Sequence, residues 1–159
     1  MAYPKKMVCF LKLILILLEY KGAYDRNSRM SIQGSIFWMA PEVVRNKGYS
    51  AKVDIWSLGC VVVEMLTGQR PWIRFNELAA MYKLGQYNAP PIPGTLSEDA
   101  IDFLKLCFAP YNYCFEEVNN LVRQPEDRPT ATTLLAHPFI LAGKEEDVRQ
   151  YLIANANSE

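Results

Sequence analysis

A chain of 159 residues is long enough for one globular domain or for part of a larger one. Half of its residues are hydrophobic and 12% are aromatic, which excludes a disordered chain. Seventeen basic side chains balance seventeen acidic ones, so no net field points to nucleic acid or an anionic membrane as partner.

The first thirty residues are locally basic, with Lys5, Lys6, Lys12, Lys21, Arg26 and Arg29 against Glu19 and Asp25, and read as a solvated flank. Within them, "PKKMVCFLKLILILLEY" has a basic start and an apolar run from Met7 to Leu18 broken by Lys12. That run is too short to span a bilayer as a helix. It resembles a signal peptide, but no small-x-small cleavage site follows; a buried strand or a non-native start are the other readings. Residues 1–22 are therefore set apart as a divergent apolar segment.

Residues 34–44, "GSIFWMAPEVV", follow neither the period of a strand nor that of a helix. From Asp54 to Thr67, "DIWSLGCVVVEMLT" is apolar almost all round, with Ser57, Glu64 and Thr67 the polar residues after the first. Val61 to Val63 locally suit a strand. Length decides for a helix, opened by Asp54 as N-cap and closed by Gly68. A helix without a polar face is buried on every side, so this one is predicted to be the axis of a helical domain.

Shorter amphipathic helices follow. Asn76 can cap "ELAAMYKL", which ends at Gly85, and "NAPPIPGT" then forms an extended connection stiffened by proline. Ser97 can cap a helix that places Ala100, Phe103, Leu104 and Cys107 on one face. Thr130 can cap "ATTLLAH", stopped by Pro138, and a last helix is predicted from about Lys144 to Ala154. The four cysteines, Cys9, Cys60, Cys107 and Cys114, lack C-x-x-C spacing and the chain has one histidine, so no metal site is predicted. Cys60 and Cys107 fall in apolar helical patterns, a usage that suits a reducing cytosol.

"GSIFWMAPEVV", then "GYSAKVDIWSLGCVVVEMLTGQRPW", then "PEDRPTATTLLAHPFI" together resemble the C-terminal lobe of a eukaryotic serine/threonine protein kinase. With the preceding "AYDRNSRMSIQ", the chain is similar to MAP kinase kinase kinases, especially those of the fungal cell-wall integrity cascade. The likeness covers residues 23–108 and 125–141. It implies a mainly α fold, a truncated kinase-like C-lobe around a buried central helix. Residues 23–141 are then a partial kinase domain with an insertion near 110–124, and residues 142–159 a C-terminal helix and tail.

The resemblance also implies roles. Ser35, Ile36, Phe37, Trp38, Met39, Ala40 and Pro41 would receive the residue after the substrate's phosphoacceptor, with Ser35 near the reaction. Glu42 closes the A-P-E motif and matches the partner of Arg128, a scaffolding pair. Asp54 matches an aspartate that braces the catalytic loop, beside its simpler reading as a helix cap. Ser31, and after it Ser28, would be regulatory phosphorylation sites on the activation segment. His137, in "AHPFI", matches a structural position.

Phosphoryl transfer in this family uses Mg-ATP held by a glycine-rich loop, a strand lysine, an H-R-D loop and a D-F-G aspartate. The chain has no G-x-G, its histidine precedes Pro138, and Asp102-Phe103 is followed by Leu104. No catalytic, nucleotide-binding or metal residue is assigned, and neither ATP nor Mg2+ is expected on this chain alone. Two functions follow. One is part of a cytoplasmic MAP kinase kinase kinase, with a MAP kinase kinase as substrate and an upstream kinase or regulator as partner. The other is a non-catalytic module that docks a substrate or partner; a membrane-tethered module is a weaker third.

Overall fold

The computed structural model describes residues 5–20, 36–46, 50–109 and 125–142. Every regular element among these residues is helical. The chain divides into two compact units, residues 23–129 and residues 1–22 with 130–159.

The larger unit is organised by α3 (Lys52–Thr67), against which α5 (Glu98–Cys107) and the 3₁₀ turns at Ile36–Trp38 and Pro125–Asp127 pack. Ile55, Trp56, Leu58, Cys60, Val62 and Val63 are buried along it. The close approach of α5 depends on Gly59. A Cβ there would stand 2.7 Å from Cys107 Cβ and 2.9 Å from Phe108 Cε1. Phe108 in turn meets Trp56 edge-on, with ring centroids 4.8 Å apart.

Two expectations for α3 need correction. It begins at Lys52, and Asp54 lies in its first turn instead of capping it. Ser50 opens the helix: its carbonyl accepts from Val53 N at 3.1 Å and its Oγ from Lys52 N at 3.3 Å. Asp54 keeps the weaker benefit of a negative charge near the helix N-terminus. Nor is α3 covered on every side, because Asp54 and Met65 are exposed. Its end is as expected, with Gly68 at φ 69° and its N–H donating to Glu64 O at 2.8 Å. That left-handed conformation favours glycine.

The flanking helices start where polar caps stand. Asn76 Oδ1 accepts from Ala79 N at 2.9 Å to open α4 (Glu77–Gly85), and Ser97 Oγ accepts from Ala100 N at 3.3 Å to open α5. Each satisfies an N–H that the first helical turn leaves without a partner. On α5 the predicted face of Ala100, Phe103, Leu104 and Cys107 is buried. Between the 3₁₀ turn and α3 lies α2 (Pro41–Val44), with Pro41 at its first position, where a missing N–H costs nothing.

In the smaller unit, α1 (Lys5–Tyr20) packs on α6 (Ala131–Leu135) and on α7 (Pro138–Leu141). The buried strand considered for this segment is overturned. Val8, Leu11 and Leu15 recur at helical spacing and are buried, while Phe10 and Ile16 are exposed. Sixteen residues also exceed the usual length of a strand. Among the described residues no helix is long and apolar enough to cross a membrane.

Thr130 opens α6, accepting from Thr133 N at 3.2 Å. That helix stops at Leu135, short of the predicted end at His137, because His137 Nδ1 accepts from Phe139 N at 3.2 Å and opens α7 instead. The predicted helix 144–154 and the insertion 110–124 lie outside the described residues, as do Ser28, Ser31 and Ser35.

Candidate functional site

The stretch that fits no simple period, Ile36 to Pro41, folds as one 3₁₀ turn leading into α2. Met39 N donates to Ile36 O at 3.2 Å, which closes the turn. Phe37, Ala40 and Pro41 are buried, while Ile36, Trp38 and Met39 are half-buried. The turn therefore presents a partly open apolar surface over a packed base.

Trp38 is bound to α3 at two points. Ser57 Oγ donates to its carbonyl at 3.1 Å, and its indole Nε1 donates to Glu64 Oε2 at 3.1 Å. Ser57 and Glu64 lie two helical turns apart on α3, and together they fix both the backbone and the ring of Trp38. Polar side chains on a largely buried helix need hydrogen-bond partners, and these two find theirs on the turn.

Glu42 and Arg128 anchor the far end. Both are buried, and the guanidinium donates from Nη1 to Glu42 Oε1 at 2.6 Å and from Nη2 to Oε2 at 2.9 Å. Arg128 donates further to Lys52 O at 2.9 Å and to Ala109 O at 2.8 Å, and Lys52 Nζ donates to Arg128 O. Its guanidinium carbon lies 5.0 Å from the ring of Trp56. A single cation thus joins α2, α3 and the segments on either side of residues 110–124.

Two further arginines brace this region, Arg45 linking the end of α2 to the end of α4 and Arg70 meeting the turn. Arg45 Nη1 donates to Gly85 O at 2.6 Å, with its guanidinium 4.7 Å from the ring of Tyr87. Arg70 lies 3.6 Å from the centroid of Phe37. Sequence reading assigned no role to Ser57, Glu64, Lys52, Arg45 or Arg70. Ser57 and Glu64 carried a usable signal, as polar residues in an otherwise apolar helix; the three cations carried none.

Of the residues singled out from sequence, Ile36 to Pro41, Glu42 and Arg128 come together with α3 in one structure. Asp54 is exposed in the first turn of α3. His137 serves as a helix cap. Cys60 on α3 and Cys107 at the end of α5 are fully buried, and burial raises both thiol pKa values well above 9.0.

Comparison with known proteins decides the family. Residues 21–140 match the protein kinase domain. The chain belongs to the protein kinase family. This kinase sequence is 51% identical over 131 residues to the MAP kinase kinase kinase mkh1 of Schizosaccharomyces pombe, covering 78% of the chain and 11% of that protein. It is 50% identical over 119 residues to the serine/threonine-protein kinase BCK1/SLK1/SSP31 of Saccharomyces cerevisiae, covering 71% and 7%. With mitogen-activated protein kinase kinase kinase A of Dictyostelium discoideum it shares 48% over 113 residues, 70% of the chain and 11% of that protein. The kinase chain is thus a fragment of a kinase domain homologous to MAP kinase kinase kinases, and it spans about a tenth of such relatives or less.

Protein kinases use ATP and Mg2+. The family's motifs for holding that pair are missing from this sequence. Among the described residues no three of His, Cys, Asp and Glu come together, and the sequence has neither a glycine-rich phosphate loop nor an H-R-D or D-F-G motif. The arrangement present is a braced apolar shelf.

Proposed function

We propose that residues 35–41 receive the segment following the phosphoacceptor of a protein substrate, as the substrate-side half of a MAP kinase kinase kinase domain. The observation that carries this reading is the double hold of α3 on Trp38, through Ser57 and Glu64. A peptide-binding surface gains affinity from being rigid before the ligand arrives, and a turn held at backbone and ring is rigid. The apolar faces of Ile36, Trp38 and Met39 suit an apolar residue, and Ser35 would stand nearest the reacting hydroxyl.

The substrate of the whole protein is then a MAP kinase kinase, phosphorylated with Mg-ATP in a cytoplasmic cascade. Residues 23–141 carry the kinase part, residues 1–22 and 142–159 flank it, and residues 110–124 are an insertion. Ser31, with Ser28 second, would take phosphate from an upstream kinase. By this reading the 159-residue chain transfers no phosphate by itself. Purified chain incubated with Mg-ATP and a MAP kinase kinase should give no incorporation above buffer, and robust turnover would overturn the reading. For Ser31, mass spectrometry of protein from stimulated cells should find the phosphorylated residue; Ser31 unmodified throughout sinks that assignment.

A second reading, a non-catalytic docking module, draws on the same geometry, since the shelf is braced without any nucleotide motif. It predicts peptide binding that Mg-ATP neither strengthens nor weakens.

A further inference from the structure

We infer that Arg70 is a positioning residue for the peptide shelf, holding Phe37 in place and coupling the shelf to the turn that leads into α4. The inference rests on the peptide-receiving reading of residues 35–41. Arg70 follows the C-terminal Gly68 of α3 by two residues and is half-buried. Its guanidinium donates from Nη1 to Pro71 O at 3.2 Å and Trp72 O at 3.3 Å, and from Nη2 to Phe75 O at 3.2 Å. In-plane donors are thereby spent on the turn 71–75, which leaves the flat face for Phe37 at 3.6 Å. Planarity lets one side chain do both, and a lysine could do only one.

The turn needs that hold. Trp72 takes φ 60°, a left-handed conformation that a bulky residue adopts only where its surroundings impose it. Its buried indole Nε1 has no hydrogen-bond partner, so the indole contributes no polar hold of its own. Phe75 packs edge-on against Trp72 at 5.7 Å, and Lys83 of α4 lies 5.7 Å from the Phe75 ring. A continuous path of contacts therefore runs from α4 through Phe75 and Arg70 to Phe37, one residue before the doubly held Trp38. Loss of the cation frees the Phe37 ring on one side and the turn on the other.

The test uses the full 159-residue chain with two fluorescein-labelled probes, an alanine-based dodecapeptide with a central serine followed by phenylalanine, and the same peptide with aspartate in that place. Arg70→Met should weaken the phenylalanine peptide about fivefold, the size of a partly desolvated cation–π contact, and Arg70→Lys should fall between it and wild type. In a Phe37→Leu background Arg70→Met should add less than about twofold, because the contact is already gone. In parallel, the Trp38 indole N–H resonance, assigned with Trp38→Phe, should shift in Arg70→Met. A purely local role in the turn would leave that resonance and the peptide preference unmoved and would overturn the inference, as would full additivity with Phe37→Leu. Should Arg70→Met fail to fold, Arg70→Lys and Phe37→Leu decide on the same readouts. If wild type binds neither peptide, the peptide reading itself falls. The Trp38 resonance then decides alone whether Arg70 holds the shelf: a shift upholds it, and no shift overturns it.

Discussion

Glu42 and Arg128, 86 positions apart in the chain, face each other through two parallel hydrogen bonds in a buried site. Fork-to-fork geometry of this kind gives direction as well as energy, so the pair sets where α2 lies relative to the segment before α6. Besides the carboxylate, Arg128 donates to two backbone carbonyls, those of Ala109 and Lys52. The arginine is therefore the node and the glutamate one of its branches.

Breaking this pair strands a buried charge. Arg128→Met should destabilise the chain by about 3–5 kcal/mol in urea unfolding, and Glu42→Gln by less, because an amide still accepts one of the two bonds. An Arg128→Met loss under about 1 kcal/mol would show that the pair is not buried in solution.

At Gly59, α5 approaches α3 too closely to leave room for a side chain. A methyl group there meets Cys107 Cβ at 2.7 Å, and neither that atom nor the Phe108 ring behind it can swing aside like the end of a flexible chain. Gly59→Ala gains helix propensity but forces the helices apart, for a net cost of about 1–3 kcal/mol. Calorimetry showing an unchanged or higher melting temperature would contradict the packing described.

Asn76 and Ser97 each cap a helix through one side-chain oxygen. Asn76→Ala should cost about 1 kcal/mol and Asn76→Gly only a few tenths, since glycine leaves the first-turn N–H open to water. Equal costs for the two variants in chemical denaturation would argue that Asn76 acts by something other than its cap.

The thiols of Cys60 and Cys107 are held protonated in the fold because burial disfavours the thiolate. The unfolded chain releases these protons near the ordinary value of 9.0, the folded chain only well above it. Their contribution to stability is thus complete below pH 9 and declines as pH rises beyond that. Iodoacetamide at pH 8 should leave both unlabelled in the native chain and label both in urea; rapid native labelling would mean that the core opens readily.

Much of the helical plan was legible from local chemistry. Asn76, Ser97 and Thr130 announce helix starts because a short polar side chain competes for the first N–H groups, and Gly68 announces an end because glycine accepts a left-handed backbone cheaply. The same reasoning misplaced the start of α3. Asp54 looks like a cap, but the helix begins at Lys52, where Ser50, four residues before Asp54, accepts from the N–H groups of Lys52 and Val53. The N-terminal segment was ambiguous for a related reason: an apolar run broken once by Lys12 has no strong period, and α1 is defined by the face it buries on packing with α6 and α7.

By itself, then, the sequence determined the family, the helical composition and the lack of nucleotide-binding motifs, because each is written in residues that lie close together along the chain. Only the tertiary structure decided how the shelf is held. The partners of Trp38 stand 19 and 26 positions away, and Arg70 reaches Phe37 across more than thirty, distances at which no periodicity or motif spacing survives. Long cationic side chains carry little directional signal in a sequence, since the same lysine or arginine serves equally on a solvated surface, and packing alone selects the carbonyl or ring it meets.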